Sequence, residues 1–177
     1  MQLKVIARNL IKLNRIATLL AVGITVSTGV PALAYSTTTD VPNTSGHFIK
    51  GGTNLGNTLY ICTAQVNGQD TPGKYYPPDQ ACYVPYGGKE FSFISSITFY
   101  KSDNWRWIAF QDKITNKNVI GGMDNDDPLY FCRAKIFTGE YTPGKYYSPT
   151  KTCYVPYGGL EYQFTYGYSD FQILIAN

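Results

Sequence analysis

The string TPGKYYPPDQACYVPYGG at residues 71–88 recurs with few changes as TPGKYYSPTKTCYVPYGG at residues 142–159. Upstream, GGTNLGNTLYICTA at 51–64 aligns in the same way with GGMDNDDPLYFCRA at 121–134. The offset changes from 70 to 71 between the two blocks, so one residue is inserted near Phe137–Gly139. Two copies of about 70 residues indicate a duplication, and we expect the pair to close into one pseudo-symmetric domain with a shared core.

The residues of each copy predict short strands separated by turns. LYICTAQV, LYFCRAKIF and CYVPY are rich in β-branched and aromatic residues, and WRWIAF and FQILIAN read in the same way. EFSFISSITFY and EYQFTYGY alternate apolar and polar residues, which is typical of half-buried strands. The pairs Gly87-Gly88 and Gly158-Gly159 predict tight turns with positive φ. The predicted fold class is all-β and antiparallel, with two tandem repeats in one domain.

Four cysteines occupy equivalent positions in the two copies, one on each LYxC strand and one on each CYVPY strand. We therefore predict that Cys62 pairs with Cys82 and that Cys132 pairs with Cys153. Each disulfide would contribute roughly 3 kcal/mol by loop closure. Free nucleophilic thiols are the alternative, and the even count in an exported chain disfavours it.

The N-terminus has the pattern of a secretory signal. Four basic residues precede an apolar run that ends at Pro31, and Ala32-Leu33-Ala34 is a small-residue cleavage pattern. We predict cleavage after Ala34 and a secreted or periplasmic protein. Ile16–Tyr35 is also close to the length of a membrane anchor, which is the alternative interpretation. The predicted organisation is a signal peptide at 1–34, a linker at 35–46 and a β domain at 47–177, with repeats at 47–102 and 103–177.

The charge of the mature chain disfavours a nucleic-acid partner. Removal of the signal takes away four basic residues and no acidic ones, which leaves 11 basic residues against 12 acidic ones. No Lys/Arg-rich run remains to neutralise a phosphate backbone. After cleavage, no other segment is apolar and long enough to be expected to span a membrane.

Few residues suit catalysis or metal binding. His47 is the one histidine in the sequence, which makes a catalytic triad or most zinc sites hard to assemble. Glu90 with Glu161, or Asp124 with Glu140, could act as paired carboxylates. Glu90 and Glu161 are copies of each other after a Gly-Gly turn, however, and fit duplicated turn anchoring better. The run Asp124–Asp127 resembles a calcium loop without its distal glutamate, so a solvated acidic turn is favoured. We expect no enzyme activity, no metal and no cofactor.

The repeated TPGK turn suggests a binding surface for neutral polyhydroxyl ligands. Each turn holds a lysine, Lys74 or Lys145, followed by two tyrosines and preceded by Gln69-Asp70 or by Glu140. Charged and amide groups hydrogen-bond sugar hydroxyls, and aromatic faces cover the C–H patches of the ring. Core or edge packing of the tyrosines is the alternative.

The order GGxD/N, LYxC, PGKYY and CYVPYGGxE over residues 47–175 resembles the DM9 repeat, an all-β module found in tandem pairs. This resemblance implies a metal-independent lectin for mannose-type glycans. It also implies sugar-binding roles for Asp124, Glu140 and Lys145, whose residue types all match the family motif. The alternatives are a structural or adhesive surface module without sugar binding, and a carbohydrate-active enzyme.

The first copy departs from this motif at two of the three positions. It keeps Lys74 but has Asn54 and Gln69 where the family pattern has carboxylates. Charge-assisted hydrogen bonds are roughly twice as strong as neutral ones, so we predict a weaker second site there. With one strong site per chain, cross-linking of glycans would require an oligomer such as a homodimer.

Overall fold

The computed structural model describes residues 35–42 and 46–177. The predicted signal peptide at 1–34 and its cleavage site lie outside the described residues. Within the described residues, no helix has the length and apolarity needed to cross a bilayer.

The described chain is almost entirely antiparallel β-structure, as predicted. Two single turns of 3₁₀ helix, Pro77–Asp79 and Ser148–Thr150, occupy equivalent places in the two copies. The strands are β1 Ser36–Thr38, β2 Lys50–Asn54, β3 Asn57–Val66, β4 Gln69–Tyr76, β5 Ala81–Tyr86, β6 Lys89–Phe93, β7 Thr98–Lys101, β8 Trp105–Ala109, β9 Ile120–Asp124, β10 Asp127–Lys135, β11 Tyr141–Tyr147, β12 Thr152–Tyr157, β13 Leu160–Thr165 and β14 Phe171–Ala176.

The order of strands reads the same from both ends of the sheet. It runs β1-β7-β3-β4-β5-β6 and then β13-β12-β11-β10-β14-β8, with β2 paired to β3 and β9 paired to β10. Seven strands from each copy therefore form two pseudo-symmetric halves. The halves join in the middle, where Leu160 of β13 pairs with Lys89 of β6. The predicted pseudo-symmetric domain is confirmed.

Two details of the strands differ from the expectation. Ser36–Thr38, assigned to the linker, forms β1 and pairs with Phe99–Lys101 of β7. This short strand covers an edge of the sheet, and β8 covers the equivalent edge in the second copy. The alternating run at 90–100 is two strands rather than one, because the chain bends between β6 and β7 and Ser96 adopts a φ of 55°.

Both predicted disulfides are present, and each lies at the centre of its own copy's core. Cys62–Cys82 is surrounded by one apolar cluster and Cys132–Cys153 by another. A third cluster is shared between the copies and includes Ile61 from the first with Phe131 and Leu174 from the second. The duplication therefore yields one domain with a common core rather than two separate domains.

A Gly-Gly pair begins each copy, Gly51-Gly52 in the first and Gly121-Gly122 in the second. Both pairs pack closely against the other copy. A Cβ at Gly52 would overlap the carbonyl oxygen of Tyr141, and a Cβ at Gly122 would overlap that of Asp70. Because neither position has positive φ, close approach of the two backbones is the reason for glycine here. Strands β2 and β9 thus cross over to pack on β11 and β4 of the opposite copy.

Candidate functional site

The two lysines of the TPGK motifs lie where the two copies meet, which we call the seam. Lys74 lies on β4, in register with Tyr83 of β5. Its Nζ is 3.0 Å from a carboxylate oxygen of Glu90 and donates a hydrogen bond of 2.6 Å to the carbonyl of Pro156, which belongs to the other copy. The ammonium lies 4.9 Å from the ring centre of Tyr157 and 5.4 Å from that of Tyr83. We call Lys74, Glu90, Tyr83 and Tyr157 the Lys74 site.

The second lysine has the same surroundings with the copies exchanged. Lys145 Nζ lies 3.6 Å from Glu161, 4.9 Å from the ring centre of Tyr86 and 5.5 Å from that of Tyr154. We call these four residues the Lys145 site. Each site therefore takes its lysine, its glutamate and one tyrosine from one copy and its second tyrosine from the other.

The two glutamates also hold the turns of the opposite copy. Glu90 accepts a hydrogen bond of 2.6 Å from the backbone N–H of Gly159, and Glu161 accepts one of 2.7 Å from Gly88. These are the Gly-Gly turns predicted from the sequence, and their glycines have positive φ. The glutamates therefore connect each lysine to the neighbouring hairpin.

Burial makes the ionised state of both lysines more costly. Desolvation lowers the pKa of Lys74 and of Lys145, and the adjacent glutamates Glu90 and Glu161 partly oppose that effect. Both side chains are at most one-tenth exposed. Their glutamate partners are equally buried, so each pair is a desolvated ion pair whose remaining donors gain strength in the low dielectric.

Asp124, which the sequence groups with Lys145, carries a charge that acts on the lysine ammonium. The Asp124 carboxylate is one of the charges that raise the pKa of Lys145 against its burial, so it lies within electrostatic range of the ammonium. Asn54 has the equivalent place at the end of β2. Its buried Oδ1 has no hydrogen-bond partner among the described residues.

Glu140 takes a position that reasoning within one copy did not foresee. Its carboxylate accepts hydrogen bonds from the backbone N–H groups of Leu55, at 3.1 Å, and Gly56, at 3.4 Å. The Leu55 hydrogen bond is the main cause of a lowered Glu140 pKa. Glu140 thus joins the first-copy turn that carries Asn54, whereas Asp124 is at the second-copy turn.

Gln69, the first-copy counterpart of Glu140, is half-buried at the start of β4. Its backbone carbonyl accepts a hydrogen bond of 3.3 Å from the Thr71 hydroxyl. The adjacent Asp70 backbone lies against Gly122 of β9. Of the predicted site residues, Glu140 is therefore the one with a hydrogen bond to the opposite copy's turn.

The acidic turn at 124–127 is a tight connection between β9 and β10. Asp124 pairs with Asp127 in register, Asn125 has a φ of 54°, and Asp127 accepts a hydrogen bond of 3.2 Å from the Tyr147 hydroxyl. His47 lies elsewhere, exposed, with its Nδ1 against the Asp103 carboxylate. Across residues 35–42 and 46–177, no three His, Cys, Asp or Glu side chains are grouped so as to hold a metal ion.

A cavity of about 880 Å³ lies away from both lysines. It is bordered by the end of β8, the start of β14 and the segment between β13 and β14. Its aromatic lining includes Phe110, Tyr141, Tyr166 and Tyr168. No residue of either lysine site lines it, so the lysine sites are distinct from this cavity.

The glutamates and the second tyrosine of each site were not predicted as binding residues. A signal for them exists in the sequence, because Glu90, Glu161, Tyr86 and Tyr157 are identical between the copies and flank the Gly-Gly turns. Their convergence on the lysines depends on how the two copies face each other, which spacing within one copy does not reveal.

Comparison with known proteins agrees with this architecture. The DM9 repeat family model matches residues 34–93 and 55–164. Among solved structures, the crystal structure of the nematode sperm cell motility protein MFP2B is similar, with 15% sequence identity and a TM-score of 0.57. The match covers 81% of this chain and 46% of that protein, so the chain spans less than half of MFP2B and shares its fold. No curated protein matches this chain.

Proposed function

This chain belongs to the DM9 repeat family, and from that premise we propose that it is a metal-independent carbohydrate-binding protein for mannose-type glycans. The Lys145 site is the principal binding site. Lys145 and Asp124 supply a donor and an acceptor for adjacent sugar hydroxyls, while Tyr86 and Tyr154 offer aromatic surface to the C–H face of the ring.

The observation that carries this proposal is the unequal engagement of the two ammonium groups. Lys74 makes two short contacts, at 2.6 Å and 3.0 Å, whereas the ion pair of Lys145 is longer, at 3.6 Å. An ammonium group has three donors. Lys145 therefore keeps more donor capacity for a ligand, and Asp124, whose charge acts on this ammonium, provides a charged acceptor.

The arrangement supports binding rather than catalysis. Both Glu90 and Glu161 are already bound to a lysine and to a backbone N–H of the opposite copy. A general acid or a nucleophile would have to leave both partners. We infer that these carboxylates hold the site in shape and that the protein releases its ligand unchanged.

A scaffold without sugar binding is the second candidate. The features that favour it are the close Lys74–Pro156 hydrogen bond and the burial of both Lys–Glu pairs, because they stabilise the seam whether or not a ligand binds. Under this alternative, the lysine side chains serve only to join the copies.

Two disulfides are typical of proteins that work in an oxidising compartment. Together with the signal pattern at 1–34, they support the proposal that the protein is exported and meets glycans outside the cytoplasm. Quantifying free thiols in protein taken from the exported fraction tests this point, and a fully reduced protein would contradict it.

Calorimetric titration of the purified protein, with both disulfides intact, tests the function. The ligands are methyl α-mannoside and mannan, each with and without EDTA. We expect binding that survives EDTA and is lost in Lys145→Met and in Asp124→Ala. Lys113→Met, which changes an exposed lysine, is the matched control and should bind normally. A folded protein that binds neither ligand would favour the scaffold.

A further inference from the structure

The loop between β13 and β14 is longer than its counterpart in the first copy. In the first copy, three residues separate Phe93 from Ile97. In the second copy, six residues separate the equivalent Phe164 and Phe171, which the register of the neighbouring strands identifies. The second copy therefore has a loop at 165–170 with three residues more than the first.

The two loops border cavities of different size. The loop at 165–170 borders the cavity of about 880 Å³ described above, whereas the loop at 94–96 borders one of about 180 Å³. Pockets that hold small ligands are typically about 300–1,000 Å³ in volume. Of these two equivalent places in the fold, the second copy has the one that can hold a ligand of several rings.

The longer loop brings accessible aromatic surface to the cavity. Tyr168 lines the cavity, is 92% exposed and has no ring partner within the described residues. Tyr166 also lines it, and its ring packs edge-on against Phe110 with 5.3 Å between the ring centres. Tyr168 therefore leaves nearly all of its ring available to a ligand, while Tyr166 and Phe110 form a fixed wall.

Two exposed side chains of opposite charge line the same cavity, Lys135 at the end of β10 and Asp170 just before β14. Ala134 pairs with Phe171 in register, so Lys135 and Asp170, one residue further along each strand, lie side by side. Neither side chain has a hydrogen bond or an ion pair within the described residues. One donor group and one acceptor group are thus available together.

The charges around the cavity favour a neutral ligand. The Tyr141 ring already faces two cations, with the Arg133 guanidinium 4.4 Å and the Lys135 ammonium 5.3 Å from its centre, so a cationic ligand would meet like charges. An anionic ligand at Lys135 would be repelled by the adjacent Asp170. A neutral ligand with several hydroxyl groups can bond to both side chains and place its C–H groups on the tyrosines.

We propose that this cavity binds neutral β-linked gluco-oligosaccharides, a ligand class different from the mannosides of the Lys145 site. The ring hydroxyls of a β-glucosyl unit are all equatorial, so both of its C–H faces are flat and one of them stacks on Tyr168. The axial hydroxyl of mannose interrupts such a face. Lys135 donates to a hydroxyl at the edge of the sugar ring, and Asp170 accepts from its neighbour. No step of this binding uses Lys145.

The test is calorimetric titration of the purified protein, with both disulfides intact, with cellotetraose and with methyl α-mannoside. We expect Tyr168→Ala and Asp170→Asn each to weaken cellotetraose binding about fivefold and to leave mannoside binding unchanged. Tyr168→Phe keeps the ring and should bind as the wild type does. Ile94→Ala truncates an exposed side chain of the shorter loop and, as the matched control, should change neither affinity.

Lys145→Met separates this inference from the proposed function, because it should abolish mannoside binding and leave cellotetraose binding intact. Loss of both ligands in Lys145→Met would place them in one site and overturn the inference. Mannoside binding without cellotetraose binding would overturn it and leave the proposed function standing. Cellotetraose binding that neither Tyr168→Ala nor Asp170→Asn weakens would also overturn it. Cellotetraose binding with the expected losses, in a protein that does not bind the mannoside, would support the inference and contradict the proposed mannose specificity.

Discussion

Glu90 accepts a hydrogen bond from the backbone N–H of Gly159, 69 residues away, while its other carboxylate oxygen lies 3.0 Å from Lys74. Glu161 makes the equivalent contact with Gly88 of the first copy. One carboxylate in each copy thus fixes a lysine of its own copy and a turn of the other. Because the halves of the sheet share a single register pair at the seam, these contacts reinforce there the arrangement that the shared core imposes.

Glu90→Gln tests the energetic role of this contact. The amide can still accept from Gly159, but Lys74 becomes a buried charge without a counterion. Breaking a buried pair from one side is strongly destabilising, and we expect a loss of about 3 kcal/mol in the free energy of unfolding. Urea unfolding with disulfides intact measures it.

The exposed pair of Lys151 and Asp112 provides the control for that experiment. Their atoms are closer, at 2.8 Å, but the side chains are 54% and 40% exposed. Asp112→Asn should therefore cost less than about 1 kcal/mol. Equal losses in Asp112→Asn and Glu90→Gln would show that burial does not set the strength of the seam pair.

The crossing of β9 over β4 predicts a steric effect at Gly122. An alanine Cβ would overlap the backbone carbonyl of Asp70, and a backbone cannot move aside as a side chain does. We expect Gly122→Ala to lower the free energy of unfolding by about 2 kcal/mol or more. Met123→Ala changes the adjacent, 41% exposed residue and should have little effect. Similar stability of the two variants would contradict the close approach of the strands.

These glycines also mark the limit of what the sequence predicts. Residue patterns within one copy predict the strands and the Gly87-Gly88 turn. The repeat predicts the disulfide pairing, because each copy holds one cysteine on each of the same two strands. Gly51-Gly52, in contrast, reads as punctuation before a strand but lies within it. Its function depends on Tyr141 of the other copy, a contact with no local signature.

The same reasoning applies to the candidate site. The motif groups Lys145 with Asp124 within one copy, and the Asp124 charge does act on the lysine. The contribution of Tyr86 to Lys145 and the capture of the Leu55 turn by Glu140 arise only when two copies are placed face to face. Long-range geometry of this kind is fixed by the shared core rather than by spacing.

Two buried tyrosines predict a loss of stability in alkali. Burial raises the pKa of Tyr100 and of Tyr146 to about 12, above the usual tyrosine value of 10.0. Between these values the folded state binds more protons than the unfolded state, so stability is intact below pH 10 and falls as the pH rises toward 12. Each tyrosine contributes up to about 2 kcal/mol to this loss.

Tyr146→Phe removes one of these ionisations, so we expect its stability to fall less steeply between pH 10 and pH 12. Thermal unfolding across this range, followed by circular dichroism, measures the slope. Tyr168→Phe removes a hydroxyl from a ring that is 92% exposed and should keep the wild-type slope. Identical slopes for all three proteins would contradict the role of burial at Tyr146.

The inequality of the two lysine sites gives a prediction for ligand stoichiometry. Asp124 is charged and Asn54 is neutral, so we expect one strong mannoside site per chain. Asp124→Asn keeps the shape of the side chain and removes its charge, and it should weaken mannoside binding about tenfold, as expected for loss of a charge-assisted hydrogen bond. Asn54→Ala should leave the strong site unchanged. Two equal sites in calorimetry, or loss of binding in Asn54→Ala alone, would contradict this assignment.

With one strong site per chain, a monomer should not cross-link mannan. Agglutination of mannan-coated beads should therefore occur only if sedimentation shows that the protein is a dimer.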